Sequence, residues 1–216
     1  PGEFQELLTS VGAGAEEGVL VMVLSGELSG TLNSATQARA LLPEIKIEIV
    51  DTRTMAMAMG YVALAAARVA EQGKSLTECA QVARDTMDKV GVFITVDTLD
   101  YLHRGGRIGG ASKLLGNTLK LKPVLTVKDG VVAEAGKVRT RKKAIRHVVA
   151  SVSAAVEGKE NIRLAALHAA APDDAAALLQ TASERTNPVE THLAELSPVV
   201  GAHVGPGTVG LVWCTD

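Results

Sequence analysis

The chain has 216 residues, 47% of them hydrophobic and 21% charged, an ordinary balance for a globular protein of one large or two small domains. Aromatic residues make up only 2% and the formal net charge is −2, so the chain offers nucleic acid neither a stacking platform nor a global positive field. Cys79 and Cys214 form no CxxC or metal-ligand pattern, and no signal peptide or long apolar span is present, which points to a reduced, cytoplasmic setting without a membrane span.

Residues 18–24, GVLVMVL, are a continuous apolar run, the pattern of a strand buried on both faces. A helix is predicted over 29–42, stopped by Pro43, then a strand over 46–50 that ends at Asp51 and Thr52. An alanine-rich helix covers 57–70, with Gly73 placed to end it. SLTE at 75–78 fits a capping box opening a helix that runs to about residue 89. GVFITV at 91–96 is another buried strand, and strands alternating with helices predict a parallel α/β layer.

After about residue 105 the pattern changes. Segments 123–127 and 131–138 flank Asp129-Gly130, the strongest short hairpin signal in the chain. A basic helix is predicted over 140–156, a strand over 163–168, a helix over 173–184 and strands over 189–196 and 208–213. The expectation is an α/β protein of two lobes, a parallel α/β layer in 1–105 followed by a largely antiparallel sheet with helices in 106–216, with 101–110 as the crossing segment.

Four stretches invite chemistry. In VLSGELSGTLNSA, 23–35, a strand gives way to a helix through Ser25, Gly26, Ser29, Gly30 and Thr31. Free N–H groups and hydroxyls at such a place suit a small anion. Ser29 as a plain N-cap is the simpler alternative, but it leaves the other hydroxyls and glycines unexplained. G-x-S-x-G is absent, so this is no nucleophile elbow. HRGGRIGG, 103–110, gives Arg107 backbone room to approach an anion, and reads equally well as a turn carrying a solvated arginine. KVRTRKKAIRH, 137–147, carries six Lys or Arg and no acid; it is a solvated helix face, a docking surface for an acidic protein or, less well supported, a nucleic-acid contact. HVGPGTVG, 203–210, contains G-x-G-x-x-G but precedes a strand, so it is not a dinucleotide fingerprint. It sets His203 on a rigid Gly-Pro-Gly turn, as a structural histidine or one that meets an anion. The five histidines show no metal-ligand spacing, and no metal or cofactor is expected.

With these stretches in place, the chain resembles the DegV family of bacterial fatty-acid-binding proteins. The likeness rests on LSGELSGT at 24–31, TLDYLHRGGRIG at 98–109, LKLKPVLTVKDGVVAEAGKVRTRKKAI at 119–145 and GAHVGPGTVGL at 201–211, in family order. The resemblance implies two α/β lobes with a long-chain fatty acid in a cleft between them. It implies that the carboxyl is held at Ser25, Gly26, Ser29, Gly30 and Thr31, with His203 contributing. It also implies that Arg107, Arg139 and His203 line the region where a partner fatty acid kinase phosphorylates that carboxylate. The protein would then be a lipid-presenting subunit with no catalytic residue of its own, and the basic run a docking surface for the kinase. Two alternatives stand beside it: a small-molecule enzyme using His203 or a serine, and a nucleic-acid-binding regulator using 137–147. Two features depart from the family pattern. Family members carry paired serines where this chain has Ser25-Gly26, and PGEF at 1–4 resembles the tail of a segment whose earlier part supplies a carboxyl-binding threonine and the first strands. The N-terminal lobe is therefore expected to be incomplete.

Overall fold

The computed structural model describes residues 1–115 and 121–216. Leu119 and Lys120, which open the third family-like block, lie outside the described residues. The elements fall into two units, Pro1–Asp88 and Lys89–Asp216.

The first unit runs α1 (Gly2–Gly12), β1 (Val19–Val23), α2 (Thr31–Ala40), β2 (Ile47–Asp51), α3 (Ala56–Ala70) and α4 (Leu76–Met87). β1 and β2 pair in parallel, from Val19 opposite Ile47 to Val23 opposite Asp51. The two-residue period of a strand sorts the side chains of β1. Val19 and Val21 pack with Leu8, Ala38 and Leu42, while Leu20 and Met22 line an apolar groove of about 430 Å³ with Ala66, Ala67 and Ala70. Burial on both faces, expected for the whole run, therefore holds only for Val23. The alanine-rich composition is used in the helices: Ala58, Ala66, Ala80 and Ala83 are all buried, and their short side chains let α3 and α4 pack closely. The capping box is present, with Ser75 Oγ accepting from the Glu78 N–H and Glu78 Oε2 accepting from the Ser75 N–H at 3.0 Å.

The second unit runs β3 (Val90–Thr95), α5 (Asp100–Arg104), a 3₁₀ turn (Gly109–Leu114), β4 (Lys122–Lys128), β5 (Val131–Val138), α6 (Arg141–Ala155), β6 (Arg163–His168), α7 (Pro172–Thr186), β7 (Glu190–Glu195), α8 (Pro198–Val204) and β8 (Val209–Cys214). Its sheet has the order β5-β4-β3-β8-β6-β7, antiparallel throughout except for the β6–β7 pair. Asp129 and Gly130 turn the β4–β5 hairpin with φ of 53° and 83°, the positive pair a tight hairpin turn requires. α6 and α7 bury Val148, Val152 and Leu178 against Leu164 and Leu211 of the sheet. Thr140 caps α6, its Oγ1 accepting from the Lys143 N–H at 3.2 Å.

Three expectations are corrected. β3, read as part of the parallel layer, lies inside the second sheet, antiparallel to both β4 and β8. A short apolar run such as GVFITV suits either neighbourhood, and its partners are chosen by residues far away in sequence. With β3 in that sheet the units divide at 88/89 and not at 105. Residues 101–110 consequently belong wholly to the second unit, as most of α5, a turn and the start of the 3₁₀ segment, and are not a crossing.

Lys74 is the largest influence on the Glu78 carboxyl; with the Ser75 bonds it holds that group at about 2, against an ordinary 4.5. The folded value lies below the unfolded one, so the carboxylate's stabilisation is fully present above pH about 4.5 and is lost as pH falls toward about 2. Ser75→Ala is expected to cost about 1 kcal/mol in urea unfolding at neutral pH. Glu78→Gln should flatten the acid limb of the first unit's stability curve, and an unchanged limb would remove Glu78 as its source.

Candidate functional site

β1 and β2 are parallel neighbours, so their C-terminal ends come together. This sets the Ser25-Gly26 turn beside Asp51 and Thr52. Ser25 is fully buried; its N–H donates to the Thr54 carbonyl at 2.9 Å and its carbonyl accepts from the Leu28 and Ser29 N–H groups. The turn is thereby closed on itself. Thr52 ties it from the side, donating from both its N–H and its hydroxyl to the Val23 carbonyl.

Ser29 and Thr31 sit at the mouth of α2, both half-buried, with their hydroxyl oxygens 2.8 Å apart. Ser29 Oγ also accepts from the Thr31 N–H at 3.3 Å. Gly30, not Ser29, is the residue immediately before the helix, and no side chain caps it. A hydroxyl pair bonded to itself commits one of its two protons and leaves the other to donate outward. At a helix start, where N–H groups lack carbonyl partners, that is a donor set for a carboxylate or phosphate.

Asp51 was not singled out in the sequence. Its carboxylate accepts from the Gly26 N–H, at 3.3 Å to either oxygen, and from the Arg53 N–H at 2.9 Å. Gly26 thus spends its amide on the protein's own acid. What it contributes is room, since a Cβ there would lie 2.8 Å from Leu32 Cδ2 and 3.2 Å from Asp51 Oδ2. The available signal was an acid ending a strand parallel to the one that ends at Ser25.

The remaining candidates lie in the second unit. Arg107 is exposed, and its Nη1 donates to the Gly105 carbonyl at 2.8 Å. His203 lies on the last turn of α8 rather than on the Gly-Pro-Gly turn that follows, with its ring over Gly105. Gly105 therefore links Arg107 to His203. Arg139 is exposed on the bend between β5 and α6, with no hydrogen bond or ion pair among the described residues.

The basic run divides. Arg139, Lys142, Lys143 and Arg146 face solvent. Arg141 turns inward instead, donating to Asp174 from Nε at 2.9 Å and Nη2 at 2.6 Å, and to Asp97 from Nη1 at 3.1 Å. Lys122 holds the same Asp97 oxygen at 3.1 Å. Sequence reading missed this network, because its acids lie some 30 to 45 positions from Arg141.

His203 Nδ1 is buried without a hydroxyl or thiol bonded to it among the described residues. Burial pushes the Cys214 thiol up, the wrong direction for a nucleophile. Among the described residues no cluster of His, Cys, Asp or Glu could hold a metal ion, and no helix is long and apolar enough to cross a membrane.

A family model described as "Uncharacterised protein, DegV family" matches residues 1–216. A DegV domain-containing protein of Streptomyces coelicolor is 38% identical over 213 residues, covering 98% of this chain and 75% of the relative. The structure of a fatty-acid-binding DegV family protein from Thermus thermophilus superposes with a TM-score of 0.94 at 35% identity, over 100% of this chain and 77% of that one. DegV from Bacillus subtilis, a fatty acid binding protein, superposes with a TM-score of 0.88 at 30% identity, over 100% and 76%.

Proposed function

The chain belongs to the DegV family, and on that premise we propose that it binds a long-chain fatty acid without transforming it and presents the carboxylate to a partner acyl kinase for phosphorylation. The observation that carries the reading is the hydroxyl pair of Ser29 and Thr31 at the start of α2, in a chain whose relatives include fatty-acid-binding proteins.

The energetics divide between the two ends of the ligand. Each buried CH₂ stabilises the complex by about 0.8 kcal/mol, so the acyl chain supplies most of the affinity. The carboxylate must recover in hydrogen bonds what it loses in leaving water. The uncommitted proton of the Ser29–Thr31 pair and the first N–H groups of α2 are the donors for it, reinforced by the helix dipole. Ser25 and Gly26 shape the turn, and the Gly26 amide already donates to Asp51. Asp51 also sets a limit: a negative head group beside it is favoured only on the α2 side, away from the acid.

Phosphorylation of a carboxylate builds negative charge on the transferring group, and cations placed there lower the barrier. Arg107, Arg139 and His203 are assigned the role of such cations, and the exposed face formed by Lys142, Lys143 and Arg146 that of docking an acidic kinase surface. The kinase draws its phosphoryl group from a nucleotide, which places the pair in the cytoplasm.

Ser29→Ala removes one hydrogen bond to a charged group, a loss of about 1.5–3 kcal/mol, and should weaken fatty-acid binding about tenfold or more in a titration with a fluorescent acyl probe. Unchanged affinity would move the head-group site elsewhere. Arg139→Ala should keep that affinity while reducing kinase-dependent acyl phosphate formation; full turnover by the variant would end its assignment to phosphotransfer.

A further inference from the structure

The GGR stretch and the HVGPG stretch, nearly a hundred residues apart, meet through three side chains that each occupy the space a glycine leaves open. The Tyr101 ring lies against Gly205, where a Cβ would stand 2.3 Å from its Cδ2. Asp97 lies against Gly207, where a Cβ would stand 2.4 Å from Oδ2. The His203 ring lies against Gly105, where a Cβ would stand 2.2 Å from Nδ1. No real Cβ fits at such separations. Gly105, Gly205 and Gly207 are therefore spent on close approach between the two motifs, while Gly106 faces open space.

The third of these contacts differs from the second in what else holds the side chain. Asp97 is fixed by Lys122 and Arg141. His203 Nδ1 is buried without a hydrogen-bond partner among the described residues. An imidazole at a working site is ordinarily oriented by a hydrogen bond to one ring nitrogen. Here that restraint is absent and shape takes its place. The surface it rests on is itself fixed, because the Gly105 N–H donates to the Tyr101 carbonyl at 2.9 Å and its carbonyl accepts from Arg107 at 2.8 Å.

We propose that Gly105 is a positioning residue for His203: its bare Cα is the seat that sets the imidazole's orientation, and its carbonyl ties Arg107 to the same seat. The seat stands on the geometry alone; its consequence for phosphotransfer rests on the function proposed above.

Gly105→Ala places a methyl group where the ring now lies. A ring at the end of a side chain can swing aside, so the expected result is displacement of His203 with the β3–β8 pairing kept. The test compares Gly105→Ala, His203→Ala and the double variant. In ¹⁵N-resolved NMR spectra of the imidazoles, Gly105→Ala should shift the His203 signals while the amide signals of β3 and β8 stay in place. Unmoved His203 signals would overturn the seat. In thermal unfolding, Gly105→Ala should destabilise the His203→Ala background less than the parent, because the clashing ring is gone and only the Tyr101 carbonyl, at 3.1 Å, stays close to the new methyl; an equal loss in both backgrounds would overturn the seat. This second arm decides the matter even if the single variant folds poorly. In acyl phosphorylation by the kinase, Gly105→Ala should lose as much activity as His203→Ala and the double variant no more than either. Independent, multiplying losses would contradict the proposal. Activity indifferent to His203→Ala would strike the phosphotransfer reading, while the seat itself would still stand or fall by the imidazole shifts.

Discussion

Antiparallel pairing of β3 with β8 is the constraint on which the second unit's chemistry depends. Six residues stay in unbroken register, from Val90 opposite Cys214 to Thr95 opposite Val209. In an antiparallel pair the end of one strand lies beside the start of the other. The chain leaves β3 into Asp97, α5 and the GGR stretch, and it enters β8 from α8 and the Gly-Pro-Gly turn. The register alone therefore brings the two motifs to one end of the central strands, and α5 packs on α8. A slip of one residue would turn every side chain of β3 to the other face and separate Asp97 from Gly207. Ile94, set against Gly210 with no room for a Cβ between them, guards against it.

The first unit uses the same logic with a different sheet. Parallel pairing brings the ends of β1 and β2 together, and the turn after β1 is closed by backbone bonds around a buried Ser25 before any ligand arrives. On the proposed reading its donors are set in advance, so little ordering remains to oppose binding. Asp51 gives the turn a polarity, with an acid on the Gly26 side and hydroxyls on the α2 side. In both units a tight backbone arrangement carries a few polar groups that have no better partner.

Much of this was legible in the sequence where the signal is local. Asp129-Gly130 declared its hairpin, SLTE its capping box, and the 163–168 strand its limits, since each depends on residues within a few positions. The partner of β3 was not legible, because GVFITV carries no mark of parallel or antiparallel neighbours. α8 was hidden by the glycines around it, although Ser197, Pro198 and Gly205 together have the form of a helix start and stop. Missing it placed His203 on a turn instead of a helix end. Asp51 and the Asp97–Arg141–Asp174 network escaped for a simpler reason: each joins residues 25 or more apart, and a composition of charges says nothing about which will meet. Of the five residues assigned to the carboxyl in the first unit, the hydroxyls of Ser29 and Thr31 keep the strongest claim, and Gly26 the weakest as a donor.

The central claim is that a fatty acid occupies this protein, and native mass spectrometry of the purified chain, followed by denaturing extraction and lipid identification, tests it most directly. The account predicts a long-chain fatty acid bound one to one, retained in Arg139→Ala and depleted in Ser29→Ala. A chain that emerges empty and takes up no added fatty acid would contradict it.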